Sequence, residues 1–368
     1  MLRKYPESLV DDIKKKQEVV LVDEVEVLLK HIPDGDIKGA MDPRLYKEMK
    51  KMALLSNFIP KSMFKMDSSP KSLVRLRKIF NSVDSYPMVE EEIRTTKFLI
   101  KASGSYDMPM YCFKSEAPLE NAPILYFIHG GGFFAGSVDV VTEALKLFVA
   151  NTNMIACSID YRLAPENPYP VGHEDCYTGL KWIHENAARF GGDPTNIFVA
   201  GDSAGGNLTQ YCTNKSLEDG SHLVRGQLLL YPTVNMGGVK DEHVHFSKEK
   251  FDIYSKHSKV INMSLGMFDD LSGSLGDFLG TKDLMNKYLT PYLEVSSDLP
   301  PTFITVGEHD FLKIETLAYA RKLTLAGIDT TTVVYKGLGH AYIDKVGYYP
   351  QSEDCVLEMI DFIGKHRK

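Results

Sequence analysis

Apolar residues gather along this chain in two rhythms. Short, predominantly apolar runs occupy positions 124–128, 154–159, 197–200, 228–231, 302–306 and 331–335, and most of them stop at or within two residues of glycine or proline. Runs of this length without strict alternation predict strands covered on both faces. Between them lie stretches with helical spacing, at about 141–151, 176–189, 207–217, 314–326 and 352–365. Strand and helix alternating in this way predict an α/β fold, with a mostly parallel central sheet flanked by helices on both sides.

The first ninety or so residues follow another pattern. Val19, Val20, Val25 and Leu29 can share one helical face, with lysine, aspartate and glutamate around them. A second helix is expected over about 43–56. A third should follow Pro70, where Leu73, Leu76, Ile79 and Phe80 recur at helical spacing. Short helices are marginal alone in water, so these stripes should pack on something larger. Acidic residues mixed among the lysines argue against a membrane-surface helix. We therefore expect an N-terminal helical region over 1–92 and a core over 93–368. Within the core, about 235–293 lacks a clear strand and is rich in aromatics. It is expected as an inserted, helical cap segment beside the site.

Composition narrows the range of functions. The 368 residues carry 42 Lys+Arg against 49 Asp+Glu, a net charge of −7, which speaks against nucleic acid as the main partner. No stretch approaches the ~18 apolar residues of a spanning helix. The charged start leaves no room for the apolar centre of a secretory signal. Cys112, Cys157, Cys176, Cys212 and Cys355 are scattered without a CxxC pair. This usage predicts free thiols, a cytoplasmic chain and no stable membrane association.

Candidate chemistry centres on two glycine-rich strand ends. Gly201-Asp202-Ser203-Ala204-Gly205 lies between an apolar run and a helical stretch. In a G-x-S-x-G turn, small residues either side let the serine occupy a sharp strand-to-helix elbow with its hydroxyl exposed. His129-Gly130-Gly131-Gly132 follows its own strand upstream. Its bare backbone suits an oxyanion loop, in which the N–H groups of Gly131 and Gly132, with that of Ala204, would hold a developing negative charge. A phosphate-binding loop is the weaker reading, because no Lys-Ser/Thr follows the glycines. A serine needs a base, and His340, just past the last apolar strand, is placed to serve. Asp310, after the 302–306 strand, is the expected acid; Glu308 is the fallback, and Asp283 and Asp298 lie before that strand. His309 is the competing base but precedes the acid. His243 and His245 lack the further ligands that a metal site would need.

The motifs resemble those of the hormone-sensitive-lipase-like esterases of the α/β-hydrolase fold. The resemblance rests on His129-Gly130-Gly131-Gly132-Phe133, Asp160-Tyr161-Arg162-Leu163-Ala164-Pro165-Glu166 and Gly201-Asp202-Ser203-Ala204-Gly205-Gly206-Asn207, and spans roughly 122–340. The chain order Ser203, Asp310, His340 is the order of that fold. The resemblance implies carboxylic ester hydrolysis, an N-terminal helical cap and no cofactor. The acid's surroundings depart from the family pattern: Asp310-Phe311-Leu312-Lys313-Ile314-Glu315 lacks a proline after the aspartate and has glutamate in place of a second aspartate. Arg162 and Glu166 are expected to pin loops. Phe133 and Phe134 are expected to line the substrate pocket, with Phe64, Tyr254, Phe268 and Phe278 as further candidates. The expected partner is a small ester with a short acyl chain, and the reading admits a homo-oligomer.

Overall fold

The computed structural model describes residues 3–35, 37–56, 67–266 and 271–368. In chain order the elements are α1 (Ser8–Lys16), β1 (Glu18–Val22), β2 (Val25–Lys30), α2 (Pro43–Ser56), α3 (Pro70–Phe80), β3 (Arg94–Lys101), β4 (Asp107–Lys114), β5 (Ala122–Ile128), α4 (Val138–Thr152), β6 (Ile155–Ile159), α5 (Val171–Asn186), β7 (Gly192–Asp202), α6 (Ala204–Glu218), β8 (Gly226–Leu230), α7 (Ser258–Gly266), α8 (Leu271–Leu279), β9 (Thr302–Gly307), α9 (Lys313–Leu325), β10 (Thr330–Tyr335) and α10 (Pro350–His366).

One ten-stranded sheet organises the molecule, in the order β1-β2-β10-β9-β8-β7-β5-β6-β4-β3. The block from β2 to β6 is parallel. β1 closes one end and the β3–β4 pair the other, each by antiparallel pairing. The six apolar runs read from the sequence are the buried parallel strands β5 to β10. Along β5, Leu125 and Phe127 point to the face that packs α4. Ile124, Tyr126 and Ile128 point to the face that packs α5 and α6. Both faces being covered explains why the run does not alternate.

The chain leaves β5 in one direction, through α4 to β6, and leaves β7 in the other, through α6 to β8. Adjacent strands whose connections part in this way open a crevice at their carboxyl ends, where ligands bind in open α/β sheets. Both glycine-rich motifs end at this crevice.

The N-terminal region corrects one expectation. Residues 18–30 are a β-hairpin, not a helix. Val22 pairs with Val25 across a two-residue turn in which Asp23 and Glu24 both have positive φ, 44° and 68°. Two positive φ values are the mark of the hairpin turn whose twist matches right-twisted strands. β2 then joins the main sheet beside β10, pairing Val27 with Thr332 through to Lys30 with Tyr335. The 1–92 stretch therefore supplies sheet as well as helices. β3 and β4, which lie on the core side of residue 93, were not anticipated as strands. Helices α2 and α3 occur where expected. The 235–293 stretch contains no strand among the described residues, only α7, α8 and short 3₁₀ turns. No helix among the described residues is long and apolar enough to cross a membrane.

Candidate active site

Ser203 sits between β7 and α6 with φ 54° and ψ −117°, a conformation that a residue holds only when its surroundings enforce it. They do so by crowding. A Cβ on Gly201 would lie 2.2 Å from the carbonyl oxygen of Gly205, and one on Gly205 would lie 2.0 Å from that of Ile128. Both positions must be glycine for the elbow to close. The Ser203 N–H donates to Leu230 O at 2.8 Å, and Ser203 O accepts from Thr233 N at 3.1 Å.

Two further loops converge on this serine. His340 Nε2 is 2.9 Å from Ser203 Oγ, and His340 Nδ1 is 2.8 Å from Asp310 Oδ2. A carboxylate can only accept, so Nδ1–H donates to Asp310 and leaves Nε2 free to take the serine hydroxyl proton. Asp310 is fully buried, and its Oδ1 accepts from Leu312 N at 2.8 Å, which fixes the carboxylate plane. The rings of Tyr231 and Phe311 flank His340, with centroids at 4.8 and 4.6 Å. The alternatives considered for acid and base are engaged elsewhere. Glu308 pairs with Lys336 and accepts from Gly337 N at 2.9 Å. His309 is buried, with Nε2 3.3 Å from Ala40 O.

The His129–Gly132 loop forms the opposite wall. Gly131 and Gly132 have φ of 109° and 61°, left-handed values that glycine adopts readily. Ala135 N–H donates to Gly131 O at 3.0 Å, so the loop folds back on itself. Among the described residues, neither Gly131 N–H nor Gly132 N–H donates to a protein acceptor. Ala204 N–H belongs to the first turn of α6, whose amides have no partner within the helix. His129 braces the loop from behind: Nδ1 lies 2.8 Å from Gly130 O, and the ring stacks on Tyr161 at 4.4 Å. Burial pushes the His129 imidazole below its ordinary range, so it is neutral.

The pocket around Ser203 holds about 380 Å³ of empty space, part of it open to solvent. Phe80, Val140 and Val141 give it an apolar side, and Asp202, His340 and Asp344 a polar one. Asp202 and Asp344 escaped the sequence reading. Asp202 stood inside the nucleophile motif without a role, and Asp344 lies in the short 3₁₀ turn Tyr342–Lys345 that follows His340. Asp202 Oδ1 accepts from Gly130 N at 2.7 Å, linking the two glycine motifs. Burial pushes its carboxyl up to about 6, against the opposing pull of that N–H and of His340. Burial, with Asp202 nearby, holds Asp344 well above the usual carboxylate range. Glu315 is a third such group: burial pushes it up to about 7, although Oε1 accepts from Val234 N at 2.8 Å and Asn235 N at 3.2 Å.

The aromatic expectations need correction. Phe133 and Phe134 are 3% and 0% exposed and do not line the pocket around Ser203. Phe133 stacks on His173 at 5.4 Å, and Phe134 stacks on Phe278 at 4.1 Å. Their alternation along a strand-end loop sends both rings into the packing that supports the glycines. Phe80 of α3 is the aromatic that reaches the pocket. Tyr254 packs on His257 at 5.1 Å. Phe64 and Phe268 lie outside the described residues. Arg162 and Glu166 do pin loops: Arg162 Nη2 meets Asp175 Oδ1 at 2.6 Å, and Glu166 Oε2 meets Arg77 Nη2 at 2.6 Å.

A doubly covered parallel sheet with a serine elbow, a late histidine and a glycine loop at the strand ends defines a hydrolase architecture. Comparison with known proteins agrees. The family described as alpha/beta hydrolase fold matches residues 125–344, more than half of the chain. The chain is 30% identical to carboxylesterase NlhH of Mycobacterium tuberculosis over 293 residues, covering 80% of this chain and 88% of that protein. It is also 30% identical to esterase LipI of the same organism over 325 residues, 87% of this chain and 93% of that one. Among solved structures, an esterase of Pyrobaculum calidifontis superposes with a TM-score of 0.69 at 25% identity, covering 88% of this chain and 98% of that chain. The protein belongs to the α/β-hydrolase-fold family, in its hormone-sensitive-lipase-like branch.

Proposed function

We propose that this protein is a serine carboxylesterase that hydrolyses small esters with short acyl chains. The observation that carries the reading is the hydrogen-bond chain Ser203–His340–Asp310, at 2.9 and 2.8 Å, set beside the Gly131 and Gly132 N–H groups, which meet no protein acceptor among the described residues. Relatives named carboxylesterase and esterase support ester hydrolysis as the reaction class. In the proposed mechanism Ser203 Oγ attacks the ester carbonyl carbon while His340 Nε2 takes its proton. The carbonyl oxygen, now an oxyanion, is held by the N–H groups of Gly131, Gly132 and Ala204. Asp310 stabilises the imidazolium. His340 then protonates the departing alcohol, leaving an acyl-serine. A water molecule, deprotonated by His340, attacks the acyl carbon and frees the carboxylic acid.

The limited space and the apolar wall of Phe80, Val140 and Val141 favour a short acyl group over a long chain. The test is hydrolysis of p-nitrophenyl acetate, butyrate, octanoate and palmitate, with Ser203→Ala measured in parallel. Turnover should peak at acetate or butyrate and fall by roughly 10⁴-fold or more in the variant. Rates that climb steadily to palmitate would sink the short-acyl reading. Turnover retained by the alanine variant would sink the nucleophile. A fluorophosphonate probe should label Ser203; a folded protein that takes no label and cleaves no ester would instead be a binding protein on this fold.

A further inference from the structure

Cys112 of β4 and Cys157 of β6 are direct register partners across an antiparallel strand pair. Their sulfurs are 2.9 Å apart, and both are free thiols. A disulfide bond is about 2.05 Å long, so closure requires roughly 0.9 Å of approach between side chains that already face each other. Among the described residues this is the one thiol–thiol hydrogen-bond contact.

Both thiols are buried, Cys112 with 4% and Cys157 with 0% of its surface exposed, and they differ in what lies beside them. Cys157 is completely buried, and burial pushes its thiol well above the ordinary range. Cys112 borders a broad groove along the outer end of the sheet, with about 1430 Å³ of empty space, part of it open solvent. Arg94, Lys114 and Arg189 line that groove against the carboxylates of Glu92 and Glu116. Three cations against two carboxylates suit a small anionic reagent approaching Cys112.

We propose that Cys112 and Cys157 are a redox pair that closes to a cross-strand disulfide by exchange with a low-molecular-weight disulfide of the glutathione type. Cys112 loses its proton to solvent and attacks one sulfur of the reagent. The reagent's S–S bond breaks, and one thiolate leaves and is protonated. Cys157 then gives up its proton and attacks the Cys112 sulfur, expelling the second thiol. Two protein thiols are oxidised to one disulfide, and one reagent disulfide is reduced to two thiols. The bond would tie β4 to the strand that leads into Tyr161, whose hydroxyl donates to His129 O at 3.1 Å behind the glycine loop. It closes a long loop, 45 residues apart in sequence, and so restricts the unfolded chain.

The experiment equilibrates the full chain with graded ratios of oxidised to reduced glutathione. The samples are quenched in acid, alkylated after unfolding and mapped by mass spectrometry without reduction. Free thiols should fall from five to three, a crosslinked peptide should join Cys112 to Cys157, and the thermal midpoint should rise. Cys157→Ser should stop at a glutathione adduct on Cys112, and Cys112→Ser should leave Cys157 unmodified. Five alkylatable thiols at the most oxidising ratio, a persistent adduct on wild-type Cys112, or a bond between any other pair would overturn the proposal. The wild-type peptide map decides this without the variants, should either serine replacement fail to fold.

Discussion

At Gly131 a missing methyl group keeps the site open. A Cβ there would lie 2.2 Å from Ala135 O, and the residue's φ of 109° disfavours any other side chain. Gly131→Ala should therefore displace the loop and lower kcat by roughly 10²–10³-fold, the cost of one oxyanion donor; steady-state kinetics on the best ester checks it. Asp310→Asn should keep the side chain in place but present an amide where Nδ1–H needs an acceptor. A loss of roughly 10⁴-fold in kcat is expected, with the thermal midpoint measured alongside to separate chemistry from folding. Asp202 allows a pH test. Its folded carboxyl titrates near 6 because it is buried, against about 3.9 in an unfolded chain. Between those values the folded state holds a proton that the unfolded state has lost, so this group lowers stability as pH rises through the window. Asp202→Asn keeps the acceptor for Gly130 N–H and removes the ionisation. Its stability relative to wild type should improve between pH 4 and 7, by on the order of 2 kcal/mol, as read from denaturation midpoints across pH. Ser203, His340 and Asp310 were legible in the sequence because each stands in a short motif at a strand end. Phe133, Phe134, Asp202 and Asp344 were not, since which way a side chain faces depends on neighbours far along the chain.

The β1–β2 hairpin shows what periodicity can and cannot decide at the scale of an element. Val19, Val20, Val25 and Leu29 satisfy a helical stripe, yet Val25-Glu26-Val27 also alternates with period two, and valine favours extended backbone. What tips the balance is pairing with β10, three hundred residues away in sequence. Lys30 at the end of β2 makes this dependence concrete. It is fully buried, with its ammonium 3.2 Å from Asp354 and paired with Glu358, both on α10. Burial already pushes Asp354 up to about 6. Lys30→Met should leave two carboxyl groups without their counter-charge and cost about 3–5 kcal/mol of stability, measured by chemical denaturation. Adding Asp354→Asn and Glu358→Gln to that variant should restore part of the loss. Arg3 and Tyr5 strengthen the same seam through Glu353, at 2.6 and 2.8 Å.

Taken as one molecule, the protein assembles its candidate site where connections from β5 and β7 diverge, so that three loops from distant parts of the chain meet. Local sequence specified the parallel strands β5 to β10 and the helices between them, the serine elbow, the glycine loop and the residue types for the candidate acid and base. Each depends on local causes: predominantly apolar runs, steric demands for glycine and the order of short motifs. Tertiary structure separated the expected acid, Asp310, from the fallback, Glu308: the two stand two residues apart, and the surrounding loops turn Asp310 toward the His340 ring and Glu308 toward Lys336. It decided that Phe80 lines the pocket while Phe133 and Phe134 support it from below. It also decided that the N-terminal valines extend the sheet, because strand pairing draws its stabilisation from a partner that no local pattern can identify.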